Sequence, residues 1–231
     1  MNMRKYFLSV SLAFLALSGL SQSLSQVSFS AASSLSYFAF TTDQNVTIRL
    51  SPDGNIMEWG MPMNSGRMGY YQGKLDPYMG RVDYYGAEAA DAGTRGKVKS
   101  IGTCTITYYS SDQPGAQKGK VKSIGSIMLD YFMDYDNESY KGKLKSAGAV
   151  GIAYFASYDN ESFRGKLKSV GNTNITYYSI FDDKINKGKL KNIGGYAYTW
   201  YNEFDKKELQ GAMKAGNNSQ KVNGINFNIW Y

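Results

Sequence analysis

The sequence predicts an all-β protein: tandem antiparallel β-hairpin repeats forming an elongated twisted sheet. Three observations predict it. Glycines recur at Gly73, Gly96, Gly119, Gly142, Gly165, Gly188 and Gly211, each 23 residues after the last. Between them apolar and polar side chains alternate, which is the period of a half-buried strand and not of a helix. The 231 residues include 25 Gly and 20 Tyr but only 4 Pro, a composition suited to strands and turns. A β-solenoid with one unit per coil, or a closed β-barrel, would use the same period.

Composition also removes whole classes of chemistry. The chain has no His, so Ser-His, Cys-His and His-metal mechanisms are absent. Cys104 is the single cysteine, which leaves neither a disulfide scaffold nor a thiolate zinc site within one chain.

Residues 1–25 read as an export signal. Met1 to Lys5 is a short basic start, Tyr6 to Leu20 is an apolar run, and Ser21 and Ser25 are two small residues suited to cleavage. The run is short for a membrane span, and no basic stop-transfer cluster follows it. Cys104 lies far from this region, so no lipid anchor is expected at the cleavage point. Loss of Arg4 and Lys5 takes the formal net charge from +7 to +5, which permits an anionic partner without demanding one.

Residues 26–44 are Ser-rich and are expected to form a lead or a first strand. Residues 45–95 read as degenerate repeats: Gly54 to Gly60 keeps the glycine frame, and Gly73-Lys74-Leu75 begins a copy that Pro77 interrupts. Residues 96–210 carry the regular copies. Each opens with Gly-Lys-Val/Leu-Lys-Ser/Asn-x-Gly, beginning at Gly96, Gly119, Gly142, Gly165 and Gly188. Each closes on an aromatic pair: Tyr108-Tyr109, Tyr131-Phe132, Tyr154-Phe155, Tyr177-Tyr178 and Trp200-Tyr201. Ile106, Leu129, Ile152, Ile175 and Tyr198 stand two residues before the first aromatic and share its face, so that aromatic is assigned to the core. Polar links rich in Asp and Asn follow and favour turns. One hairpin cannot bury its apolar face alone, whereas stacked neighbours can. Residues 211–231 end in alternating Ile225, Phe227, Ile229 and Tyr231, expected as capping strands.

The Gly-Lys-Leu-Lys-Ser-x-Gly segment followed by a Tyr-Tyr strand resembles the MORN-type repeat over residues 96–201. The resemblance implies hairpins laid side by side and a role as scaffold or binding surface, not as enzyme.

Repeated columns are the candidate sites. Lys97, Lys99, Lys120, Lys122, Lys143, Lys145, Lys166, Lys168, Lys189 and Lys191 form two cationic columns. They could bind a polyanion, but a solvated face that discourages edge-to-edge aggregation is the favoured reading. On that reading, exchanging both columns for Gln leaves folding largely intact. Tyr109, Tyr178 and Tyr201 could stack sugar rings, against the commoner explanation of cross-strand packing. Asp136, Asp159, Asp182 and Asp205 share a register and read as turn caps in preference to calcium ligands. Asn137 and Asn160 lie in Asn-x-Ser sequons, and Cys104 reads as a packed small side chain.

Catalysis needs unlike groups converging, and this chain offers like groups in rows. The expectation is an exported, non-enzymatic β-repeat scaffold or binding protein of the bacterial cell envelope, periplasmic, at the cell surface or outer-membrane associated. Its Lys and Tyr columns would face an envelope protein or an anionic polysaccharide. No cofactor, metal or nucleic-acid partner is expected. An outer-membrane β-barrel is the alternative.

Overall fold

The computed structural model describes residues 22–63, 73–113 and 115–230. The export-signal reading falls mostly on residues 1–21, outside the described residues. The fold is nearly all β, with two large sheets.

The first sheet has eleven strands. It runs in chain order through β6 (Val82–Tyr84), β7 (Val98–Ile101), β8 (Cys104–Tyr108), β9 (Val121–Ile124) and β10 (Ile127–Tyr131). It continues through β11 (Leu144–Ala147), β12 (Val150–Tyr154), β13 (Leu167–Val170), β14 (Thr173–Tyr177), β15 (Leu190–Ile193) and β16 (Tyr196–Ala197). Every neighbour is the next strand in sequence, paired antiparallel, so the array is a meander. It is open, with β6 and β16 at its edges, and is therefore neither a closed barrel nor a solenoid.

The 23-residue unit explains this geometry. Gly102, Gly125, Gly148, Gly171 and Gly194 hold φ between 52° and 58° as the first residue of a two-residue hairpin turn. That position calls for left-handed backbone, which glycine adopts without steric cost. A bulge before the first aromatic of each strand, as at Thr107/Tyr108 and Thr176/Tyr177, recurs at the same place in every copy.

The second sheet has seven strands in the order β19-β20-β1-β2-β3-β4-β5. These are β1 (Ser23–Ser30), β2 (Ser34–Thr41), β3 (Thr47–Leu50), β4 (Ile56–Pro62), β5 (Leu75–Asp76), β19 (Ser219–Val222) and β20 (Ile225–Trp230). It curls like half a barrel, and β20 joins β1 in parallel, so the two ends of the described chain meet in one sheet. A short pair, β17 (Thr199–Trp200) with β18 (Met213–Ala215), finishes the array with a partial sixth copy.

Several sequence expectations change here. Of the two readings of residues 26–44, the strand holds and the lead does not: β1 and β2 occupy most of them, with Val27, Phe29, Phe38 and Phe40 fully buried. Residues 45–95 are not a run of degenerate repeats, because β3, β4 and β5 belong to the second sheet and only β6 joins the array. In the Gly54 to Gly60 frame, Gly54 lies in the turn between β3 and β4 and Ile56 to Gly60 belong to β4. Of the C-terminal residues, β18 does cap the array, while β19 and β20 build the cover. The cohesion expected from neighbouring hairpins alone is likewise incomplete. The array buries Ile101, Ile106, Ile124, Leu129, Leu167, Ile175 and Ile193 in one continuous core with Phe29, Phe38, Phe40, Ile48, Leu50 and Phe227 of the second sheet. Flat neighbours cannot close each other's apolar face, so a second layer must.

Turns of the cover lock onto the strand ends of the array. Amides of Val121, Leu144 and Leu190 donate to the carbonyls of Gly54 (3.1 Å), Pro52 (2.8 Å) and Ala32 (2.9 Å). At the opposite end, Ser126 N donates to Gln22 Oε1 at 2.6 Å and Asn223 Nδ2 donates to Thr173 Oγ1 at 3.0 Å.

Cover and array are therefore expected to melt together. Phe38→Ala should cost about 3–5 kcal/mol, the usual penalty for emptying a large core site. Urea unfolding followed by Trp59 in the cover and by Trp200 in the array, each as the sole tryptophan, should shift by the same amount. A shift confined to Trp59 would show an array that stands by itself.

Candidate functional site

The two lysine columns have different fates. In the first, Lys97, Lys143 and Lys166 donate from Nζ to the carbonyls of Gly119, Gly165 and Gly188, at 2.6, 2.7 and 2.6 Å. Lys120 and Lys189 do the same to Gly142 and Gly211. Each lysine therefore grips the glycine that opens the next copy. Each ammonium also stands over the first aromatic of its own copy, Tyr108, Tyr131, Tyr154, Tyr177 or Trp200, at 4.9 to 5.2 Å from the ring centre. Burial pushes Lys120, Lys143 and Lys189 down from the ordinary lysine value, and Lys166 down to about 8. This column is a set of clamps between copies and not a solvated face, so the expected tolerance of Gln there is corrected.

The second column stands on the outer face. Lys99, Lys122, Lys145 and Lys168 are exposed and Lys191 is half-buried. Their ammonium groups lie 5.4 to 5.9 Å over the second aromatics of the preceding strand: Tyr85, Tyr109, Phe132, Phe155 and Tyr178. Lys214 continues the row over Tyr201 at 5.3 Å.

Those second aromatics are committed inside the fold. Tyr109 donates its hydroxyl to Leu129 O at 2.8 Å and packs edge-on against Tyr131. Tyr178 donates to Tyr198 O at 3.0 Å. Phe132 and Phe155 meet Tyr154 and Tyr177 edge-on at 6.0 and 6.1 Å. With lysines over their faces and hydroxyls bonded across strands, Tyr109 and Tyr178 are cross-strand packing, while Tyr201 has Lys214 over its ring.

The exposed aromatics sit elsewhere. Tyr135, Tyr158, Phe181 and Phe204 are 85%, 85%, 89% and 89% exposed. They follow the same 23-residue spacing, one at the tip of each successive link. The signal was present in the sequence as a column, but it lay within links read only as polar turns.

Each tip is held from both sides. The amides of Asp136, Asp159, Asp182 and Asp205 donate to the carbonyls three residues back, at 3.0 to 3.2 Å. In return, each Asp Oδ2 accepts the amide of Met133, Ala156, Ser179 or Asn202, at 2.6 to 2.9 Å. The turn-cap reading of this Asp column is what the geometry shows. The reciprocal pair pins the turn and leaves the aromatic before each Asp pointing outward. Two tips also meet the second lysine column, through Lys191 to Asp182 at 2.7 Å and Lys214 to Asp205 at 3.2 Å. Neighbouring tips lie two strands apart, so the row repeats at about 9.5 Å.

The other singled-out residues are structural. Cys104 is fully buried, and burial beside Asp43 pushes its thiol up to about 11. Asn137 links two copies by donating to Ser157 Oγ and accepting from Ser157 N. Asn160 accepts the amide of Ser162. Compared with protein families, curated proteins and solved structures, the chain matches none.

The two columns should respond differently to substitution. Lys120→Gln removes a charge-assisted bond to a carbonyl and should destabilise by about 1–3 kcal/mol. Lys122→Gln, on the exposed face, should cost under about 1 kcal/mol. Chemical denaturation of both variants checks this, and equal losses would contradict the clamp.

Acid stability tests the capping carboxylates. Bonds from the Ser111 hydroxyl, the Ser111 amide and the Gly93 amide hold Asp91 down to about 2. A carboxyl lowered by folding contributes stability above the unfolded value near 4 and loses it as pH falls toward 2. Asp91→Asn should therefore be less stable at neutral pH, with the difference from the parent shrinking between pH 4 and 2.

Proposed function

We propose that this chain is an exported, non-catalytic binding protein of the cell envelope that holds a linear acidic polysaccharide along the array. The observation that carries this reading is the row Tyr135, Tyr158, Phe181 and Phe204: four exposed aromatics, one in each of the last four regular copies, on pinned turns. Exposed aromatic side chains in a row are unfavourable in water and gain nothing from the fold, so a surface ligand accounts for them best. A repeating ligand matches a repeating surface. Aromatic rings take the apolar faces of pyranose rings, and the second lysine column beside them supplies the charge that carboxylate groups would meet. Because the turns are fixed beforehand, little entropy is lost when the ligand docks.

Export fits the N-terminal region. β1 begins at Ser23 and Leu24 is buried, while Gln22 takes the Ser126 amide. Cleavage after Ser21 would leave this strand whole, and cleavage after Ser25 would remove part of it. N-terminal sequencing of the exported protein should therefore read from Gln22.

Calorimetry with sodium alginate fractions of graded length tests the binding reading. Affinity should climb with length until the chain spans all four tips, roughly 29 Å, and then level off. Exchanging Tyr135, Tyr158, Phe181 and Phe204 together for Ser should keep the fold and cut affinity at least about tenfold. Exchanging Lys122, Lys145 and Lys168 for Gln should flatten the salt dependence. Undiminished alginate binding by the four-Ser variant would sink the proposal.

A further inference from the structure

A separate cleft of about 500 Å³ opens where the cover meets the array, between the β1–β2 turn, the β3–β4 turn and the third and fourth copies. Its volume lies within the usual range for small-molecule sites. The seam of turn carbonyls explains its position. Pro52 O takes the Leu144 amide and Ala32 O takes the Leu190 amide, and the cleft opens at the copy between them, whose first strand begins at Leu167.

The lining is strongly cationic. Lys143, Arg164 and Lys166 face it with one carboxylate, Asp53. Each lysine spends one Nζ hydrogen on a glycine carbonyl, at 2.7 Å for Lys143 and 2.6 Å for Lys166. An ammonium has three hydrogens, so donors remain on both. Arg164 directs Nε to Asp159 O at 3.1 Å, and its terminal amino groups extend beyond that bond.

An orphan hydroxyl marks the same place. In sister copies the first aromatic donates to the carbonyl ten residues earlier: Tyr108 to Val98, Tyr131 to Val121, Tyr177 to Leu167, and Trp200 to Leu190. Tyr154 lines the cleft, is 5% exposed, and its buried hydroxyl has no partner. A buried hydroxyl left without a partner costs on the order of 1–3 kcal/mol, so a group that accepts its proton is favoured here.

We propose that this cleft is an oxyanion-binding site for a small molecule carrying a phosphate or carboxylate group. Lys143, Lys166 and Arg164 hold the anionic group and Tyr154 donates its hydroxyl to the ligand. Ser139, also in the lining, suits a polar remainder such as a sugar. The site is independent of the aromatic row.

Burial holds Lys166 down to about 8. The other charged groups that line the cleft are Lys143, Arg164 and Asp53. Burial lowers Lys143 as well. Affinity for a carboxylate ligand such as glucuronate, whose own charge is constant over this range, should therefore be steady from pH 6 to 7 and fall as pH rises through about 8.

Calorimetric titration of the full chain at pH 6.5 with inorganic phosphate, glucuronate and glucose is the test. Saturable binding of phosphate alone assigns a phosphate ligand, of glucuronate alone a carboxylate ligand, and of both a general oxyanion site; each supports the proposal. Lys166→Met should weaken the bound anion about tenfold or more, and Tyr154→Phe severalfold. Because Lys166→Met also breaks a clamp, Lys189→Met is its control: it breaks the equivalent clamp outside the cleft and should bind as the parent does. No saturable binding of either anion would overturn the proposal. So would glucose binding as well as the anions, or Lys189→Met losing as much affinity as Lys166→Met.

Discussion

A hairpin array has one apolar face too many. Each copy places Ile or Leu, an aromatic and a Val or Leu on the same side of the sheet, and lateral neighbours extend that face instead of hiding it. Burial at about 25 cal/mol per Å² stabilises the array only if something lies across it. The seven-stranded sheet does so, drawing strands from both ends of the described chain. Its turns also take amides at the strand ends of the array, which satisfies backbone donors where the meander reverses. The layered arrangement, the shared core and the positions of the clefts all follow from this need for cover.

Within the array, the copies are joined by a lattice as well as by strand pairing. The first lysine of each copy ties the glycine that opens the next, while its charge rests over an aromatic ring. The ring of one copy meets the ring of the next edge-on. These contacts are local to neighbouring copies, so they repeat without adjustment and fix the spacing of everything attached to the strands. The tips inherit that spacing. A row of pinned turns, each presenting one aromatic, is the outward consequence of an inward lattice.

Departures from the repeat are informative for the same reason. Tyr154 occupies the place of Tyr131 and Tyr177, yet lacks their hydrogen bond. Sequence alone gives no hint of this, because the residue is the one the pattern demands. Tyr154 belongs to the third copy and lines the cleft where the cover meets the array. Similarly, the serine-rich residues 26–44 look like a lead by composition, although Val27, Phe29, Phe38 and Phe40 alternate through them. Their partners lie in the array and in β20, too far along the chain for local reading to reveal.

The sequence by itself determined the strand period, the hairpin turns at Gly102 and its equivalents, the inward placement of the first aromatic, and the capping role of the Asp column. All of these are set by neighbours within one 23-residue copy or by backbone conformation. Tertiary structure alone decided which lysine column clamps the copies and which stands on the outer face, which aromatics reach solvent, and that the flanks form a cover instead of further copies. Those outcomes depend on contacts between residues 20 or more positions apart, where identical side chains in identical motifs meet different surroundings.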